Sequence, residues 1–262
     1  MLQGVFIAHK KDNTKYYRAS VTYRNKHISL GSFEEEKDAN AAYNKAREVL
    51  YGEQRICDYD SAFCLDFKKW VVLINVRDNR MYIKTPIYLR ENYFEYYLSQ
   101  DTVLKFDVDD LFYYSNHSIM KRDGYLFVAD YGMQVNILSR YGIKNHAVQG
   151  RDFVFANGDD TDYRYSNIVV INKYYGVERI EQNGRYQYKT KIHLLGDFIV
   201  GVYNDEVQAA VAYNKAVDMV RAAGFHKCFS ENYIEDLSAI EYAKIYSAVA
   251  VSKKIRDFVT GT

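Results

Sequence analysis

Residues 18–46 read "RASVTYRNKHISLGSFEEEKDANAAYNKA", and residues 192–216 read "IHLLGDFIVGVYNDEVQAAVAYNKA". Both end in AYNKA, and in both a glycine stands twelve residues before the tyrosine, Gly31 before Tyr43 and Gly201 before Tyr213. One unit therefore occurs twice. In the first copy Tyr17, Ala19, Val21 and Tyr23 alternate with Arg18, Ser20, Thr22 and Arg24, the period-two pattern of a half-buried strand. "RNKH" supplies a turn, and "HISLGSF" alternates again, with Ile28 and Leu30 facing the core and His27 and Ser29 facing away. With "GVFIA" ahead of them these segments make a three-stranded sheet, which needs a cover over its apolar face.

The cover follows in sequence. From Glu34 the period changes: Ala39, Ala42, Tyr43, Ala46, Val49 and Leu50 form one helical stripe, and Gly52 is placed to end it. The small alanines permit close approach of helix to sheet. In the second copy Ala209, Ala212, Tyr213, Ala216, Met219, Val220 and Ala223 repeat the stripe, with Gly224 as the stop.

A chain of 262 residues is long enough for two or three small domains, and its single proline, Pro86, leaves no proline-rich linker between them. No apolar run is long enough to span a bilayer, and the start "MLQGVFIAHKKDNTKYY" turns polar too early for a signal peptide, so the expected location is cytoplasmic, in association with the nucleoid. Cys57, Cys64 and Cys228 form no C-x-x-C pair and read as reduced structural thiols. The net charge of +1 conceals local fields. Residues 1–33 carry Lys10, Lys11, Lys15, Arg18, Arg24 and Lys26 against Asp12 alone; residues 173–195 carry Lys173, Arg179, Arg185, Lys189 and Lys191 against Glu178 and Glu181. The basic residues sit in the strand half of each repeat. The 27 tyrosines read as tyrosine-lined cores, since Tyr joins a large apolar area to a polar tip.

Gly4 and Val5, Tyr17 to Val21, Leu30 to Phe33 and Ala39 to Ala46 together resemble the Apetala/ethylene-response-factor DNA-binding domain. Gly176 and Val177, Tyr188 to Ile192, Val200 to Tyr203 and Ala209 to Ala216 meet the same pattern more loosely. The resemblance covers about 100 residues and implies that each sheet lays the face away from its helix into the major groove of duplex DNA. Carried over, that face holds Arg18, Ser20, Thr22, Arg24, His27 and Ser29 in the first copy and Lys189, Lys191 and His193 in the second; Lys10, Lys11, Lys26, Arg179 and Arg185 complete the expected DNA-contacting set. Arg can grip guanine O6 and N7 with two hydrogen bonds, while Lys and Ser serve phosphates or single base atoms. Where the family often has Arg on the first strand, this chain has Phe6 and Ala8, or Glu178 and Ile180; on the third strand of the second copy it has Asp197 and Ile199.

Between the copies, "NGDDTDYRYSN" resembles the loop and helix of HNH endonucleases, with Asn157, Gly158, Asp159, Asp162, Arg164, Ser166 and Asn167 holding the frame. The lead-in from Phe106 to Gly142 is similar to that of phage HNH proteins. An HNH site needs an imidazole base and side chains that hold one divalent metal. At those positions stand Val154 for the metal-binding Asp, Phe155 for the base, Tyr163 for the middle Asn and Leu138 for the upstream His, so no catalytic residue and no metal site is expected. His117 and His146 lie far from the motif and read as structural. Asp159, Asp160 and Asp162 read as loop-capping residues rather than as ligands of a metal or other cofactor.

In the remainder, Trp70–Val76 and Met81–Tyr88 read as strands, Glu91–Leu98 as a helix, and Glu231–Phe258 as a helix packing on the second repeat or, alternatively, pairing two copies of the chain. The expected class is α+β: sheet-plus-helix modules at 1–55 and 173–226, a central HNH-like α+β domain at 56–172, and a C-terminal helix at 227–262. The expected function is sequence-specific binding of double-stranded DNA by a transcriptional regulator descended from an HNH homing-type endonuclease that lost catalysis, without membrane contact. The rivals are a metal-dependent nicking endonuclease with an atypical site and a protein-interaction scaffold.

Overall fold

The computed structural model describes residues 1–260, which build an α+β chain of small antiparallel sheets and six α-helices. They fall into two compact units, Met1–Ile137 with Phe155–Asn167, and Leu138–Val154 with Ile168 onward. Among the described residues no helix is long and apolar enough to cross a membrane.

The first unit begins with Val5–His9 (β1), Lys15–Tyr23 (β2) and Lys26–Phe33 (β3), an antiparallel sheet in the order β1-β2-β3. Arg24 and Asn25, at φ 47° and 63°, make the two-residue hairpin turn. Helix Glu36–Tyr51 (α1) covers the sheet through Ala39, Ala42 and Ala46, all fully buried, with Val49 and Leu50 beside them. Gly52 ends α1 in an extended conformation, φ −108°, not a left-handed one. Its need for glycine is steric: a Cβ there would lie 2.6 Å from the Glu48 carbonyl.

Helix Phe67–Asn79 (α2) stands where a strand is expected. Asp66 caps it, its Oδ1 accepting from the Lys68 amide at 2.9 Å, and Arg80 closes it in a left-handed conformation. All seven residues from Trp70 to Val76 are buried, because α2 packs α1 on one side and a second sheet on the other. An element buried all round shows no amphipathic period, so its β-branched run imitates a strand. That second sheet consists of Ile87–Leu89 (β4), Tyr93–Tyr97 (β5) and Val103–Asp107 (β6), with β5 in the middle. The expected helix at 91–98 is therefore this central strand, with Phe94 and Tyr96 buried two apart, and the expected strand at 81–88 is an irregular approach to β4. A short helix, Leu111–Asn116 (α3), and a third sheet, Ile119–Arg122 (β7), Tyr125–Asp130 (β8) and Met133–Asn136 (β9), complete this part of the unit. One apolar core runs from Val5 and Ala39 through to Trp70 and Val76, so no break in packing occurs near residue 55.

The chain passes between the units three times: after Ile137, after Val154 within the short strand Phe153–Phe155 (β10), and after Asn167, just ahead of the short strand Ile168–Val170 (β11). In the second unit Val177–Gln182 (β12), Arg185–His193 (β13) and Asp197–Tyr203 (β14) form a sheet ordered β12-β13-β14, covered by helix Glu206–Ala222 (α4). Gly224, φ 84°, follows its end.

The C-terminal segment is two helices rather than one: Ala239–Ala248 (α5), with a Ser238–Glu241 capping box, and Lys253–Thr260 (α6). Between them the chain seals the edge of β14, where the Ser252 amide donates to the Val200 carbonyl at 2.8 Å and the Ser252 hydroxyl to the Ile199 carbonyl at 2.7 Å. Val251 and Ile255 join the core of the second repeat, while Ile240 in α5 is 70 % exposed.

Candidate nucleic-acid interface

The two repeats match in backbone detail. Along β2–β3 the register passes from Ala19↔Gly31 to Ser20↔Ser29, skipping Leu30; along β13–β14 it passes from Thr190↔Gly201 to Lys191↔Ile199, skipping Val200. Each repeat thus carries one β-bulge at the corresponding place, with its extra residue buried. At each bulge an amide donates to a glycine carbonyl ahead of the first strand, Ser20 to Gly4 at 3.1 Å and Lys191 to Gly176 at 2.8 Å.

In the first repeat the register aligns Phe6, Arg18 and Ser32 in one row across the sheet, then Ser20 with Ser29, then Thr22 with His27. Arg18, Thr22, His27 and Ser29 are exposed on the face away from α1. Ser20 lies in the same series but is only 9 % exposed at the bulge, out of a ligand's reach. Arg24 is on the hairpin turn, its guanidinium 5.3 Å from the Tyr23 ring, and Lys10 and Lys11 sit in the β1–β2 turn, which the Lys10 amide closes onto the Thr14 carbonyl at 2.9 Å. Lys26 pairs in register with the core residue Tyr23 and holds its ammonium over the Tyr82 ring, on the helix side of the sheet. Among the described residues none of Lys10, Lys11, Arg18, Arg24 and Lys26 makes an ion pair.

The second repeat presents a different surface. Its outer rows are Glu178–Lys189–Val202, Lys191–Ile199 and His193–Asp197. Lys191 is bound to Glu178 at 2.9 Å and His193 to Asp197 at 2.7 Å. The hydrogen bond from Lys191 holds the Glu178 carboxyl below its ordinary range, and that from His193 does the same for Asp197. Among the described residues Lys189 makes no ion pair, although it stands in register with Glu178 and its charge helps to lower that carboxyl, and Arg185 begins β13 on the same outer face. Arg179 shares its row with Tyr188 and Tyr203, on the helix side, with its guanidinium 4.7 Å from the Tyr186 ring. The expected basic faces are thus unequal: one is uncompensated, the other largely neutralised by acids two strands in sequence could not pair by inspection.

The HNH-like loop is closed on itself. Asp162, 1 % exposed, accepts two hydrogen bonds from the Arg164 guanidinium, another from the Arg164 amide and one from Asn157; Asp159 accepts from Thr161 and from Lys105. Hydrogen bonds from Thr161 hold Asp159 down at about 2, and those from Arg164 hold Asp162 below its usual value against the opposing effect of burial. Asn167 ties the two ends, accepting the Asn157 amide at 2.8 Å and donating to the Asp162 carbonyl at 2.8 Å. Phe155 and Tyr163, where the sequence resemblance would put the base and the middle Asn, are buried with ring centroids 5.5 Å apart, and Tyr163 also stacks on Phe106. Burial pushes the Tyr163 hydroxyl up to about 12. His117 stacks on Tyr113 and lies 3.5 Å from Asp130. Among the described residues no group of three or more His, Cys, Asp or Glu side chains comes together to hold a metal.

Comparisons with protein families, with curated proteins and with solved structures found no match.

Proposed function

We propose that the protein binds duplex DNA sequence-specifically and acts as a transcriptional regulator built on the frame of an HNH homing-type endonuclease that has lost its catalytic groups. The observation that carries this reading is the outer face of β1–β3. It places Arg18, Thr22, His27 and Ser29 in exposed rows, with Lys10, Lys11 and Arg24 on the flanking turns and, among the described residues, no acid paired to these cations. A two- or three-stranded ribbon fits the major groove, and Arg and Lys that lack internal partners can exchange counterions for phosphates. The first repeat is the principal reader. The second contributes through Lys189 and Arg185, and its tether to the first raises its effective concentration at an adjoining site.

Alanine at both Arg18 and Arg24 tests the face. Loss of about 1–3 kcal/mol at a base position marks direct reading, and a smaller loss spread evenly over sequences marks phosphate contact. Unchanged binding excludes the face. A specific observation also favours a protein contact for the second repeat: Ile199 and Val202 are 44 % and 47 % exposed beside its neutralised ion pairs. The endonuclease alternative is separated by incubating supercoiled plasmid with Mg2+ or Mn2+; chelator-sensitive nicking would favour it.

A further inference from the structure

We propose that Phe6 makes the site read by the first repeat depend on thymine, its ring taking the C5-methyl group of a thymine beside the base held by Arg18. This rests on the DNA-binding reading above. Phe6 is 52 % exposed and belongs to neither apolar core. It lies on β1 in direct register with Arg18, which in turn faces Ser32, so a phenyl ring occupies one end of an otherwise polar row on the outer face. The corresponding residue of the second repeat is Glu178, spent on an ion pair with Lys191. The contrast matters, because the ring lies outside both apolar cores and stands where the first repeat has its unpaired guanidinium.

The dimensions suit base reading. Neighbouring strands lie about 4.8 Å apart and successive base pairs about 3.4 Å apart, so side chains abreast on β1 and β2 cover the same or adjacent base pairs. Arg favours guanine through O6 and N7, and an apolar side chain in the major groove favours the thymine methyl. Phe6 offers no hydrogen bond, so a cytosine or uracil at the same position gives it nothing to bury against.

The test uses the full chain and the duplex it enriches from a random pool, remade with deoxyuridine at each thymine in turn. Wild type should bind about fourfold more weakly when one particular thymine loses its methyl group, the worth of one buried methyl. Phe6→Ala should bind the thymine and uracil duplexes alike, and Phe6→Leu should keep part of the discrimination. Circular dichroism of both variants establishes that they are folded. Insensitivity of wild type to uracil at every position, an enriched site lacking a fixed thymine, or an unchanged ratio in Phe6→Ala would each overturn the assignment while leaving DNA binding intact. If wild type binds no duplex at all, the assignment and the DNA reading fall together.

Discussion

The ring of Tyr213 lies directly over Gly176, so close that a Cβ added to that glycine would come within 2.3 Å of ring Cδ2. Tyr43 stands over Gly4 in the same way, with a corresponding distance of 2.0 Å, and both glycines have left-handed φ, 71° and 74°. The repeated AYNKA thus has a structural reason: its tyrosine closes on the turn that leads into the first strand, and that turn accepts the bulge amide of the second. Only glycine meets both the backbone and the packing requirement.

Gly176→Ala should therefore destabilise the second unit through backbone strain of about 1–3 kcal/mol and overpacking of similar size. Urea denaturation measures the loss. Adding Tyr213→Ala removes the clash with the ring but not the one with the Lys191 carbonyl, which would lie 2.5 Å from the new Cβ, so the double variant should lose somewhat less than the sum of the two singles; strict additivity would show that the ring and the glycine are independent.

Lys215 should matter far more than its counterpart Lys45. Its ammonium donates to the Tyr246 carbonyl at 2.7 Å and the Val249 carbonyl at 2.9 Å, tying down the end of α5, whereas Lys45 makes only a surface pair with Glu48 and lies over the Phe63 ring. Hydrogen bonds to a charged donor contribute about 1.5–3 kcal/mol, an exposed ion pair about 0–1. Lys215→Met should speed amide exchange across α5, and Lys45→Met should leave the first unit's exchange nearly unchanged.

These pairs also show what the sequence could convey. The sheet of the first repeat and the helices of both follow from periods of two and 3.6, and β1–β3, α1 and α4 form where those periods place them, while β12–β14 form where the repeat of the unit places its strands. Trp70–Val76 defeated the same reasoning because α2 is buried on every side, and Tyr93–Tyr97 because a tyrosine-rich central strand has partners on both flanks. The tail reads as continuous, yet Ser238 caps one helix and Ser252 is drawn into hydrogen bonds with the edge of β14. At the candidate site the residue types were legible, but the partners were not. Nothing local ties Lys191 to Glu178 thirteen residues earlier, or reveals that a bulge buries Ser20 while its neighbours alternate outward.

The HNH-like loop predicts an acid limb in stability. Asp159 at about 2 and Asp162, also depressed, have folded values below their unfolded ones. Their contribution is complete above the unfolded value near 3.8 and is lost as pH falls from there toward about 2. The urea midpoint of wild type should drop across that window. Asp162→Asn should start lower, since Arg164 loses its charged partner, and should fall less steeply with acid.

The second repeat should become a stronger DNA binder when its acid is removed. Glu178→Gln frees Lys191 for phosphate, so the affinity for arbitrary duplex should rise and the slope of log affinity against log salt should steepen by about one contact. No change in slope would mean that Lys191 never reaches DNA.

The most direct measurement of the central claim is selection of the purified chain on randomised duplex DNA at near-physiological salt, with sequencing of the bound pool. The account predicts an enriched motif whose strongest positions are lost when Arg18 is replaced by alanine, joined by a weaker second element that depends on Lys189. A pool with no enriched motif, bound only through interactions that vanish as salt rises, would contradict it.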